Sequence, residues 1–190
     1  KRILFPKATR DTWSSTETTL PEGTTKEDFD KDSVLSRFDH QLKSSGINTS
    51  HTLSPDFSWS PSDITQIKNY HQLEKYIVLF PFCSPHLTSK KWPYYNNLIS
   101  MINERLENKY KVVIAPGPGE IKDASSINAL CVLDNGKALD ISQLAALIKD
   151  SSFVVANDTG PAHMTAHLGS KGIGLFGSHT TPFKVSIERE

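Results

Sequence analysis

Cysteine is scarce: Cys83 and Cys131 are the only two in 190 residues. They fall near predicted strands, in no metal-ligand spacing, which argues against a disulfide-stapled secreted scaffold. Two buried thiols in a reducing compartment are expected instead. An excess of either charge is also lacking. Lys and Arg number 21, as do Asp and Glu, so there is no global basic field for nucleic acid or a strongly anionic membrane. No apolar run approaches the roughly 20 residues that a membrane span needs. The opening Lys1-Arg-Ile-Leu-Phe-Pro-Lys7 has a basic flank, but its apolar core is too short for a signal peptide. These absences place the protein in the cytoplasm. Hydrophobic residues at 37% and charged residues at 22% then describe an ordinary globular chain, long enough for one full domain and something extra.

The composition shifts near residue 72. Residues 1–72 are rich in Ser, Thr, Asp and Pro. Ser33 to Ser45 has a modest helical pattern in Val34, Leu35, Phe38 and Leu42, with Gly46 as its cap. Ile47 to Ser62 reads as an extended connector. Nothing in this segment builds a core alone, so it is either a loose tail or packs on something absent.

Residues 73–190 alternate strands and helices. Tyr76–Phe80 reads as a first strand. A helix beginning near Trp92-Pro93 carries an apolar stripe of Tyr95, Leu98, Ile99, Ile102 and Leu106. Lys111–Ala115 is a second strand, broken by Pro116-Gly-Pro-Gly119, with a short helix over Glu120–Ile127. Ala129–Leu133 is a third strand, and Asp140-Ile-Ser-Gln143 is a capping box opening the next helix. Phe153-Val-Val-Ala156 is a fourth strand, apolar enough for burial on both faces. It runs into a helix opening on Gly160 and Pro161, which Asp158 or Thr159 can cap and Gly169 ends. Ile173–Phe176 is a fifth strand. The pattern predicts an α/β fold, a Rossmann-like doubly wound parallel sheet, with ligands beyond the carboxyl ends of its strands.

The loops at those ends hold the candidates. The helix opening at Gly160 points free amides outward and suits an anion, with a nucleotide diphosphate as the expected occupant. After the first strand come Ser84 and the pair Lys90-Lys91. A lysine there either meets a phosphate as a point charge or is a solvated side chain at a helix entrance. Glu120 either complements a helix dipole or accepts from ribose hydroxyls. Leu139 is core or touches a base. Gly172-Ile-Gly-Leu-Phe-Gly177 matches G-x-G-x-x-G but lies within a strand instead of following one, so it is set aside as a dinucleotide fingerprint. His163 and His167 are four apart, as zinc ligands often are, but no third ligand is in view. His163 reads better as a phosphate or sugar partner, and His167 as structural.

Lys90-Lys-Trp-Pro93, the Gly-rich turn with Glu120, Asn157-Asp-Thr-Gly-Pro-Ala-His163, Leu168-Gly169 and Leu175-Phe-Gly177 together resemble the carboxyl-terminal half of glycosyltransferase family 9, the heptosyltransferases of lipopolysaccharide core synthesis. The likeness covers about residues 74–182. It implies the donor half of a GT-B enzyme, whose two Rossmann-like domains face a cleft. By this resemblance Lys90 contacts the donor phosphates, Glu120 the adenosine ribose, and Leu139 lies near the adenine. Asp158 bonds the sugar hydroxyls, Thr159 and Gly160 contact the phosphates, and His163 lies close by. The donor is then an ADP-sugar, bound without metal or other cofactor. The acceptor is a lipid-linked saccharide, implying peripheral contact with the inner membrane, and no nucleic acid is involved.

The family's catalytic base is an Asp of the first domain, which would precede Lys1, so no catalytic residue is expected in this chain. The segment after Pro182 is also shorter than the closing helices would need. The rival readings are another GT-B relative (a UDP-sugar transferase or nucleotide-sugar 2-epimerase), a non-catalytic nucleotide-binding module, and a dinucleotide oxidoreductase.

Overall fold

A computed structural model describes residues 20–178 and 180–185, apart from 51, 52 and 54. The opening seven residues, and with them the signal-peptide question, lie outside the described residues. The rest fall into two compact units, 20–55 with 184–185, and 56–183.

In the smaller unit Thr25 caps α1 (Lys26–Phe29) and Ser33 caps α2 (Val34–Ser44), each accepting from a backbone amide three residues on. Gly46 follows α2 at φ +72°, the left-handed conformation its lack of a Cβ permits. Phe38, expected on the apolar stripe of α2, is exposed. The last described helix is Pro182–Val185.

The larger unit is built on five parallel strands: β1 (Tyr76–Phe80), β2 (Lys111–Ile114), β3 (Leu130–Cys131), β4 (Phe153–Asn157) and β5 (Gly172–Leu175). Their spatial order is β3-β2-β1-β4-β5. Ile77 of β1 lies beside Val112 of β2 on one side and Phe153 of β4 on the other. Between β1 and β4 the direction of winding reverses, so the chain leaving these two strands departs to opposite sides and opens a crevice.

Both faces of the sheet are covered, which explains the unbroken apolar run of β1. Tyr76, Val78 and Phe80 pack on one face with α3 (Thr65–His71), α5 (Ile141–Asp150) and α6 (Gly160–His167), through Ile67, Leu147 and Ala162 among others. Ile77 and Leu79 pack on the other with α4 (Tyr95–Arg105), through Tyr95 and Ile99. The capping box of α5 forms as expected: Asp140 accepts from Gln143 N at 2.8 Å, and Gln143 accepts from Asp140 N at 2.9 Å. Gly169 ends α6 at φ +64°.

Several boundaries differ from the sequence reading. The helix expected from Trp92 starts at Tyr95; the Trp92 amide donates to Asn157 Oδ1 at the end of β4 instead. The third strand is two residues long, since as an edge strand it pairs only with β2, at Leu130 and Cys131. The helix expected over Glu120–Ile127 is a single 3₁₀ turn at Asp123–Ser126. Cys83 and Cys131 are both half-buried free thiols, and burial pushes the Cys131 thiol upward.

The Gly-rich pattern in β5 has a packing cause. A Cβ on Gly172 would lie 2.9 Å from both Val154 O and Thr165 Cγ2, so β4 and α6 can close on β5 only over a glycine. Gly172→Ala is expected to destabilise the chain by about 1–3 kcal/mol, read as a lowered urea midpoint at unchanged slope.

Candidate functional site

A cleft of about 390 Å³ opens at the carboxyl ends of β1, β2 and β4, and Lys90, Glu120, Leu139, Asp158, Thr159 and Gly160 all line it. Six of the seven residues singled out from sequence are thus brought together. His163 is half-buried one turn along α6 and is not part of the lining. His167 packs its ring against Phe57 at 5.5 Å, in keeping with a structural part. Phe80, Phe82, Leu87 and Leu144 add an apolar wall.

The loop after β1 delivers Lys90 on a 3₁₀ turn, Thr88–Lys90. Its ammonium donates to Asp158 Oδ2 at 2.7 Å and to Asp158 O at 3.2 Å. The side chains are only 19% and 2% exposed, for Lys90 and Asp158 respectively. A carboxylate so enclosed needs a charged partner to remain ionised, and the ammonium supplies it. An ammonium carries three hydrogens; two are engaged by Asp158, which leaves one for a ligand. Lys91 instead sets its nitrogen 5.8 Å from the centroid of the Phe82 ring. The structure therefore distinguishes two neighbouring lysines of which the resemblance had singled out Lys90.

The opening of α6 is not capped as anticipated. Thr159 occupies the capping position but makes no side-chain capping bond; its hydroxyl donates back to Asn157 O at 3.2 Å. Asp158, the other candidate, is engaged with Lys90. Both side chains have other partners, and Thr159 and Gly160 line the cleft at the opening of α6. Pro161 has no N–H and the Ala162 amide donates to Thr159 O at 3.0 Å, so the Gly160 amide is the one left to meet an anion there among the first three residues of the helix.

Glu120 closes its own turn. Its Oε2 accepts from Gly117 N at 2.8 Å, while Glu120 N donates to Gly117 O at 2.9 Å. This reciprocal pair fixes the orientation of the carboxylate at the rim. Leu139 packs against the main core cluster and also reaches the cleft, so the core and contact readings are compatible.

One residue was given no role from sequence. Asn157 is fully buried, and its amide donates to Pro81 O at 3.0 Å. Its Oδ1 accepts from Trp92 N at 3.3 Å and lies 3.2 Å from the Tyr95 hydroxyl. That hydroxyl is also 3.1 Å from Phe80 O. Burial pushes the Tyr95 phenol well above its ordinary range, so it remains a donor. The available signal was an amide at the end of an otherwise apolar strand, since a buried Asn must find partners. Among the described residues, no three His, Cys, Asp or Glu side chains come together in a metal-like group.

A parallel sheet with a charged cleft at its switch point defines a class of ligand-binding α/β domain, and comparison with known proteins gives the family. Residues 24–188 match the family model described as glycosyltransferase family 9 (heptosyltransferase). The chain belongs to that family. Among solved structures it is similar to a family 9 glycosyl transferase from Veillonella parvula DSM 2008, at 16% identity and TM-score 0.62, over 80% of this chain and 45% of that one. It is also similar to the E. coli heptosyltransferase WaaC solved with ADP, at 21% identity and TM-score 0.50, over 77% and 44% of the two chains. The chain thus spans less than half the length of these structures, and at such identities the likeness shows the fold alone. No match to the chain was found among curated proteins by sequence.

The enclosed ion pair yields a stability test. Lys90→Met strands the Asp158 charge and is expected to cost about 2–4 kcal/mol. Adding Asp158→Asn to it removes the stranded charge and should recover much of the loss. Urea denaturation of both variants measures this, and a double variant no more stable than Lys90→Met would show that the charge was not the cause.

Proposed function

We propose that this chain is the donor-binding half of a glycosyltransferase that moves a heptose or related sugar from an ADP-sugar to a lipopolysaccharide core acceptor. The observation that carries this reading is the gathering of Lys90, Glu120, Leu139, Asp158, Thr159 and Gly160 in one cleft, in a chain of the heptosyltransferase family. The diphosphate is assigned to the amide end of α6 and the remaining hydrogen of the Lys90 ammonium. Glu120 is assigned to the ribose, the apolar surface at Leu139 to the adenine, and Asp158 to the sugar hydroxyls.

In the reaction, an acceptor hydroxyl attacks the anomeric carbon and a carboxylate takes its proton as the bond to the diphosphate breaks. Negative charge grows on the departing phosphate oxygen. The helix amides and Lys90 stand where that charge develops, so they hold it more strongly in the transition state than in the ground state. Such donors can neutralise the leaving group without a metal ion, and metal-independent binding is part of the proposal. The base is assigned to the other half of the enzyme, because both carboxylates of the cleft, Glu120 and Asp158, already have donor-binding parts in this reading. The acceptor is assigned as lipid-linked, which would bring the enzyme to the cytoplasmic face of the inner membrane. Among the described residues no helix is long and apolar enough to cross a membrane.

Calorimetric titration of the chain with ADP, UDP and NAD, with and without EDTA, tests the donor assignment. Preference for ADP, unchanged by EDTA, is expected. Preference for UDP would move the assignment to the UDP-sugar transferases or epimerases, and preference for NAD to oxidoreductases. Asp158→Ala should weaken binding of the ADP-sugar by a larger factor than binding of ADP. Equal factors would show that Asp158 does not meet the sugar.

A further inference from the structure

We infer that Asn157 is the positioning residue for Lys90: its side-chain amide clasps both ends of the loop that carries the lysine. In its phosphate-binding part the inference rests on the donor reading above. The loop leaves β1 at Pro81 and returns at Trp92. The Asn157 amide donates to the first, at 3.0 Å, and its oxygen accepts from the second, at 3.3 Å. The Tyr95 hydroxyl, one step into α4, lies 3.2 Å from the same oxygen. Asn157 is 0% exposed and Tyr95 2%, so water does not substitute readily for these bonds. Trp92 is held in turn by edge-on packing on the Tyr95 ring, with centroids 5.3 Å apart.

The chemistry of an amide suits this place. A side chain at the end of β4 must offer a donor toward Pro81 O and an acceptor toward Trp92 N at once. A carboxylate has no donor, and a leucine of similar size has neither. The next residue, Asp158, takes the lysine itself at 2.7 Å. Successive side chains at the end of one strand thus fix the ends of the loop and the charge at its tip. Lys90 has several rotatable bonds and stays aimed at the cleft only while its main chain is held. Asn157 touches no ligand in this scheme. It acts through the loop.

Competitive acetylation, located by peptide mass spectrometry, tests this without any ligand. Lys111 is the internal control. It is half-buried at the opposite ends of the strands, and its ammonium donates to His71 O and Gln72 O, each at 3.0 Å. Asn157→Ala is expected to raise Lys90 labelling about fivefold or more relative to Lys111, and Tyr95→Phe to raise it by a smaller factor. Equal rises at both lysines would reveal general loosening and overturn the inference. So would an unchanged Lys90. If Asn157→Ala does not fold, Tyr95→Phe is judged by the same ratio.

ADP titration of the single and double variants forms the second arm. Asn157→Ala should lower affinity about tenfold in the native background and by less than about twofold when Lys90→Ala is already present. The same factor in both backgrounds would overturn the phosphate-binding part. A native chain that ignores ADP while Lys90 labelling still responds would sink the donor reading and leave the positioning role standing.

Discussion

Asp158 is a carboxylate almost wholly removed from water, and it sits at the one point where the sheet reverses its winding. Burial of an isolated charge costs several kcal/mol, a large share of the stability of a small domain. The conformation is tolerable because Lys90 arrives from the far side of the crevice and bonds it twice. The contact therefore joins the loop after β1 to the loop after β4. These two loops must diverge to make a pocket, and they must also be tied to keep its shape. The ion pair meets both demands, and Asn157 secures the loop behind it.

The sheet sets the carboxylate side of that contact. β1 and β4 are hydrogen-bonded neighbours from Ile77 with Phe153 to Phe80 with Ala156. Apolar packing on both faces leaves no freedom for one strand to slide past the other. With the register fixed, Asn157 and Asp158 emerge beside Pro81. The close seating of α6 over Gly172 sets the angle at which its amide end meets the cleft. Core packing thus determines the geometry of polar groups that make no apolar contacts of their own.

The fold was legible because its signal is redundant. Five apolar segments separated by helix-length intervals leave few topologies, and the right-handed crossover rule narrows them further. What was not legible depended on choices among equivalent local partners. Thr159 and Asp158 each look like a helix cap, yet one donates to Asn157 O and the other binds Lys90. Lys90 and Lys91 are identical in type and adjacent in position, so the residue pattern alone does not separate them; the resemblance singled out Lys90, which ends the 3₁₀ turn Thr88–Lys90 and lines the cleft. Asn157 was quoted in a motif without a role, because its three partners lie 62 to 76 residues away. Sequence periodicity carries no information about contacts of that kind. The length of β3 failed for a related reason: an edge strand ends where its single neighbour stops pairing, not where its apolar run ends.

The charge balance of the cleft bears on what it would prefer under the donor reading. A nucleoside diphosphate brings at least two negative charges, while the Lys90–Asp158 pair is neutral overall, offers one remaining hydrogen and shares the cleft lining with the Glu120 carboxylate. The amide end of α6 adds the equivalent of about half a positive charge. Phosphate contacts alone therefore under-compensate a diphosphate, and Asp158 lies close enough to oppose it. A sugar on the diphosphate changes the balance, because esterification removes part of the terminal negative charge. A site of this composition meets a smaller charge deficit with an intact nucleotide-sugar than with the nucleotide left after transfer.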